Sequence, residues 1–97
     1  VRQQLSSVKL PDDFPELVYV SFDLDGLDPS VLPATGTPVP GGLEFYQALD
    51  LVSSACSGRK IVGFDIVELA PSAAHPASNF TAALVTYHLI ALALSQR

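Results

Sequence analysis

The chain has 97 residues, of which 48% are apolar, and a formal net charge of −5. That length allows at most one small domain, and the apolar share excludes a disordered chain. Ten acidic side chains against five basic ones, with no basic cluster, exclude a nucleic-acid surface.

From Val1 to Pro15 the chain is polar and interrupted by Pro11 and Pro15, which predicts a loop. Leu17 to Leu24 (LVYVSFDL) is an aromatic and β-branched run of strand length. Its nearly continuous apolar character predicts a strand of a parallel sheet covered on both faces. Prolines at 29, 33, 38 and 40 then deny regular structure from Asp28 to Gly42. Leu43 to Cys56 reads as a helix, with Phe45, Ala48, Leu49, Val52 and Cys56 at the spacing of one buried stripe. Gly58 suits the left-handed residue that ends it. Ile61 to Leu69 is a second buried strand, and Ala70 to Ser78, with Pro71 and Pro76, is a loop. Ser78 or Asn79 is the expected cap of a last helix reaching about Gln96. Phe80, Ala83, Leu84, Tyr87, Ala91 and Leu94 line one side of that helix, and Val85, Leu89, Ile90 and Leu92 line others. A helix apolar nearly all round belongs inside a larger protein or an oligomer. Its longest apolar stretch, Ala82 to Leu94, falls short of the roughly 20 residues of a membrane span, so no membrane partner is expected.

This order is a β-α-β unit with a trailing helix. The expected fold class is α/β, a three-layer α/β/α sandwich with a mainly parallel sheet, of which residues 1–97 are the C-terminal part. Two strands alone leave both faces and both edges without partners. The sequence contains no Met, in keeping with a piece of a longer polypeptide. Cys56 is the single cysteine, without zinc spacing around it, and reads as a buried structural thiol. A free thiol fits a reducing compartment, and no signal-peptide pattern precedes the first strand, so a cytoplasmic location is expected.

The chemistry is concentrated between Ser21 and Gly42 (SFDLDGLDPSVLPATGTPVPGG). Asp23 and Asp25 are expected on one face at the end of the first strand. Two neighbouring carboxylates repel each other unless a cation lies between them. Oxygen donors suit hard divalent ions such as manganese or magnesium. Asp65 and Glu68 end the second strand, and functional groups of parallel sheets gather at strand carboxyl ends, so four acids are expected to face one crevice. Asp28-Pro29 reads as a turn-capping pair. Asp65 is read either as a crevice carboxylate or as a residue that holds a loop. His75 and His88 lack ligand spacing to the aspartates, and His88, on an apolar helix, reads as a packed core or interface residue.

Taken together, Ser21-Phe22-Asp23-Leu24-Asp25, Asp28-Pro29, Pro33-Ala34-Thr35-Gly36-Thr37-Pro38 and Gly41-Gly42 resemble the ureohydrolase family of arginases and agmatinases. Gly63-Phe64-Asp65-Ile66-Val67-Glu68 with Pro71 is similar to that family's late strand. The resemblance implies a hydrolase that splits a guanidino compound into urea and an amine, using two manganese ions or other divalent metals. It implies that Asp23 bridges both metals and is catalytic, that Asp25 binds one of them, and that Thr37 lies beside the guanidinium. Glu68 would pair with that cation and is the second implied catalytic residue. A homo-oligomer, trimer or hexamer, is also implied. Asp25 to Pro29 and Ala34 to Val39 look arginase-like, whereas Glu68-Leu69-Ala70-Pro71 through Asn79 to Ala82 look more like agmatinases, which puts an agmatinase-type substrate slightly ahead. The family's upstream histidine and its Asp-Ala-His-x-Asp segment do not occur here, so the chain holds half a metal site. Two rival readings stay open. Phe22 to Gly26 also begins like haloacid-dehalogenase-type phosphatases, although Leu27-Asp28-Pro29 departs from their pattern. Alternatively, the piece only packs against a partner with its acids idle.

Overall fold

A computed structural model describes residues 5–96; residues 1–4, the start of the expected N-terminal loop, and residue 97 lie outside it. Two strands, β1 (Leu17–Asp23) and β2 (Lys60–Val67), are joined through helix α1 (Phe45–Ala55) and followed by helix α2 (Ala77–Ser95). The strands pair in parallel, from Leu17 opposite Lys60 to Asp23 opposite Val67. The α/β class and the element order are as the sequence predicts.

One irregularity sets which side chains share a face. Val18 pairs with Ile61 and Tyr19 with Gly63, which leaves Val62 as an extra residue in β2. That bulge shifts the alternation of β2 by one position. Val18, Val20 and Phe22 therefore share a face with Ile61, Phe64 and Ile66, while Tyr19, Ser21 and Asp23 share the other with Gly63, Asp65 and Val67.

The first of these faces carries the core. Phe22 packs there with Leu24, Leu27 and Leu32, with Ala48 of α1, and with Ala82, Val85 and Leu89 of α2. A smaller cluster of Val18, Cys56 and Ile61 lies against Val52, Leu92 and Ala93. Full burial of an aliphatic side chain such as Leu24 or Leu89 contributes roughly 1.5–3 kcal/mol. The opposite face is open: Leu17, Tyr19 and Val62 are about 60% exposed. The expectation of strands covered on both faces is thus met on one face only among the described residues, because both helices of this chain lie on the same side.

The helix boundaries shift for local reasons. α1 begins after Glu44, whose carboxylate accepts from the Gln47 N–H at 2.8 Å while the Gln47 side chain accepts from the Glu44 N–H at 3.2 Å. This reciprocal box fixes the first turn two residues later than expected. α2 starts earlier than expected, at Ala77, and neither Ser78 nor Asn79 caps it. Pro76 already holds helical dihedrals (φ −65°, ψ −26°), so the ring preorganises the first turn without a side-chain cap. Ser78 is instead buried inside the helix. The 19-residue α2 holds an 18-residue window of mean hydropathy 1.4, so by length and composition alone it reaches a membrane span, where the sequence reading counted only Ala82 to Leu94. It nevertheless seats Ala82, Val85 and Leu89 in the core, so here it serves as a packing helix. The stripe of Phe80, Tyr87 and Leu94 faces outward.

Candidate functional site

β1 ends at Asp23 because that side chain turns back on its own backbone, accepting from the Asp25 N–H at 2.9 Å. The bond starts a single 3-10 turn, Leu24–Gly26, pinned by fully buried Leu24. Asp25 therefore belongs to the turn and does not share a strand face with Asp23, contrary to the sequence expectation. The correction follows from capping, which short acidic side chains favour over continued extension.

Asp25 is the better enclosed of the two. Its Oδ2 accepts from the Thr37 hydroxyl at 2.7 Å, while Oδ1 is shut off from solvent without any hydrogen-bond partner. The Thr35 hydroxyl beside it is also buried, near enough to favour the Asp25 carboxylate but short of hydrogen-bond geometry. The Thr35 and Thr37 hydroxyls, against the cost of partial burial, hold the Asp25 carboxyl below the usual carboxylate range. An ionised carboxylate with a sequestered, unpartnered oxygen is costly unless a donor or a cation takes that lone pair. Asp23 and Asp25 thus fit a hard cation by donor chemistry. Among the described residues, however, no three His, Cys, Asp or Glu side chains are grouped so as to hold a metal ion.

Glu68 lies just past β2, beyond the row in which Asp23 faces Val67. Its φ of 75° makes it the one non-glycine with positive φ among the described residues. Backbone strain of this kind gathers at functional positions. The turn it makes lets the Ala70 N–H donate to the Ala34 carbonyl at 2.8 Å, tying the end of β2 to the loop that carries Thr35 and Thr37. Asp23, Asp25, Thr37 and Glu68 are in this way brought to one end of the sheet by three segments.

Asp65 does not join them, and the expected crevice of four acids is not formed. Its two oxygens accept from the Tyr19 hydroxyl at 2.9 Å and the Ser21 hydroxyl at 2.7 Å. Strand pairing sets Ser21 directly opposite Asp65, so hydroxyls of β1 consume the carboxylate. The bond to Asp65 in turn raises the Tyr19 phenol pKa. His88 packs edge-on against Phe45, with ring centroids 5.9 Å apart, as its place on an apolar helix predicts. His75 lies two residues ahead of α2, where its backbone carbonyl accepts from the Ser78 N–H.

The sequence reading missed two features. Thr35 lies beside Asp25, and its place two positions before Thr37 was the available signal. Asp28 does more than cap its turn: it also accepts from the Gly41 and Gly42 N–H groups at 3.0 and 3.1 Å.

Comparison with known proteins bears on the same residues. The family model described as Arginase family matches residues 4–92. N(1)-aminopropylagmatine ureohydrolase of Thermus thermophilus is 47% identical over 75 residues, covering 77% of this chain and 25% of that protein. Agmatinase of Pyrococcus horikoshii is 36% identical over 85 residues, covering 88% of this chain and 30% of that protein. The solved structure of proclavaminate amidino hydrolase from Streptomyces clavuligerus superposes with a TM-score of 0.67 at 38% identity, over 77% of this chain and 25% of that one. The chain spans about a quarter of the length of the curated relatives it matches.

Proposed function

The chain belongs to the arginase family, and from that premise we propose that it supplies the C-terminal part of a single-domain hydrolase that releases urea from a guanidino compound. The observation that carries this reading is the buried, unpartnered Oδ1 of Asp25, set between the turn of Asp23 and the threonines of the loop. Asp23 and Asp25 would hold a pair of divalent ions, manganese first among them, with the remaining ligands from a longer polypeptide. Such a pair supplies an activated water near neutral pH. Glu68 presents an exposed carboxylate at the strand end, suited to a charge-assisted pair with a planar guanidinium. The Thr37 hydroxyl holds Asp25 and flanks the place where that cation would lie. Family membership leaves the phosphatase reading of Phe22 to Gly26 without support.

An agmatinase-type substrate is the finer proposal. It is supported by the names of the relatives, among them an aminopropylagmatine ureohydrolase and an agmatinase. Manganese dependence, a homo-oligomer of three or six copies and a cytoplasmic location complete the reading; the last rests on the free, buried thiol of Cys56. The test is urea release by the full-length enzyme carrying this segment from agmatine, aminopropylagmatine, arginine and guanidinobutyrate. Agmatine or its aminopropyl derivative is expected to give the highest kcat/KM. Preference for arginine would remove the agmatinase assignment, and release from none would remove the hydrolase reading. The segment alone is expected to release no urea.

A further inference from the structure

The loop that carries Thr35 and Thr37 has a neck, and one side chain closes it. Asp28 Oδ2 accepts from the Ser30 N–H at 3.0 Å and from the Ser30 hydroxyl, which is all that a capped turn requires. Its Oδ1 reaches 13 and 14 residues along the chain to the N–H groups of Gly41 and Gly42. Backbone bonds lie alongside, from the Asp28 N–H to the Leu43 carbonyl and from the Leu43 N–H to the Gly26 carbonyl, both 2.8 Å. The two sides of the neck touch so closely that a Cβ on Gly42 would fall 2.6 Å from the Asp28 nitrogen. Gly41, with φ of 86°, turns the chain so that successive N–H groups converge on one oxygen.

Beyond this neck, support for the loop is uneven. Leu32 and Ala34 are buried anchors, whereas residues 36–42 are exposed. Thr37 is therefore placed by its bond to Asp25 and by the closure of the neck. With four donors already in place, Asp28 is saturated within the chain and has no role as a ligand left to fill.

We propose that Asp28 is a positioning residue for the guanidino end of the site, clasping residues 41 and 42 to the end of β1 so that Thr37 stays on Asp25. The proposal rests on the ureohydrolase reading given above, through the substrate that Thr37 would flank. A capping role alone would make Asp28 matter for stability only. A clasp makes it matter for binding, because small misplacements of a contact group are costly to productive geometry.

The experiment uses the full-length enzyme carrying this segment, with Asp28→Asn, Asp28→Ala and the milder Ser30→Ala, which keeps the Gly41 and Gly42 bonds and guards against loss of folding. KM for the guanidino substrate is expected to rise at least about tenfold in Asp28→Ala and less in Asp28→Asn, with about twofold or less in Ser30→Ala. Bound manganese per chain is expected to stay unchanged throughout. A lowered Tm with KM within about twofold in both Asp28 variants would reduce Asp28 to a turn cap and overturn the proposal. Parallel loss of manganese would overturn it as well. Amide hydrogen exchange provides a readout independent of the reaction: residues 35–42 should exchange at least about tenfold faster in Asp28→Asn, with β1 and β2 unchanged. If the unaltered enzyme releases no urea from any guanidino compound, the functional reading fails and exchange alone judges the clasp. Unchanged exchange in that loop overturns it.

Discussion

Glu68 serves two opposing demands. Its left-handed backbone costs a residue with a Cβ about 1–2 kcal/mol, yet the same turn ties Ala70 to Ala34 and presents the carboxylate. Glu68→Gly should therefore raise the stability of the full-length enzyme by several tenths to about 1 kcal/mol in denaturant melts, after the added entropy of a flexible unfolded residue. The same variant should lose urea release, so a gain in stability would accompany a loss of function. Asp23→Ala should abolish both bound manganese and activity, and full metal content in that variant would end its assignment as a ligand. Asp28 titrates low for a different reason. The Ser30 hydroxyl and N–H, with the N–H groups of Gly42 and Gly41, hold its pKa at about 2. Since the folded value lies below the ordinary one, the clasp is fully formed above about pH 4 and is lost as pH falls through about 2. A carboxyl carbon titration by NMR should place the Asp28 midpoint near 2; a midpoint near 4 would contradict the four-donor geometry.

At the level of elements, the bulge in β2 decides which side chains meet. It sets Gly63 under the Tyr19 ring, where an added Cβ would come within 3.0 to 3.1 Å of the ring carbons. The ring can then lie flat across Gly63 and reach Asp65. Asp65→Asn should lower the Tyr19 phenol pKa toward the ordinary tyrosine value, because the negative charge that opposes ionisation is removed while a neutral amide remains. Ultraviolet titration of the full-length enzyme with Tyr46 and Tyr87 changed to Phe would follow Tyr19 among the tyrosines of this segment. An unmoved transition would mean that the Tyr19–Asp65 bond does not persist. Gly63→Ala should shift the same transition in the same direction by displacing the ring. Helix positions were legible from spacing, since Ala48, Val52 and Cys56 do pack inward. Helix starts were less so, because Glu44–Gln47 and Pro76 act through backbone geometry that periodicity does not register.

At the scale of the molecule, one sheet face and the outward side of α2 are apolar and open. Leu17, Tyr19 and Val62 line the first, and Phe80, Tyr87 and Leu94 the second. With one helical layer and two strands among the described residues, the core is small and the outer edge of each strand has no partner there. The isolated segment should therefore self-associate in sedimentation experiments and show a broad thermal transition. A monomer with a sharp two-state melt would show that the segment is self-sufficient. Co-expression with the preceding part of the polypeptide should restore a soluble, cooperative species if the open face belongs under a further layer.

The sequence by itself determined the α/β order, the apolar helix faces and the acids proposed for the site, because these depend on residue type and short-range spacing. Asp23, Asp25 and Glu68 stood out in that way, whereas Thr37 and the pairing of Glu68 with a guanidinium came only from the resemblance to ureohydrolases. Only the tertiary structure decided that Asp25 leaves the strand, that Asp65 is consumed by Tyr19 and Ser21, and that Asp28 closes a neck 13 residues long. Each of these is a choice of hydrogen-bond partner. A carboxylate accepts from whichever donors the folded backbone brings within reach, and a one-residue bulge or one tight glycine contact, invisible to periodicity, sets which donors those are.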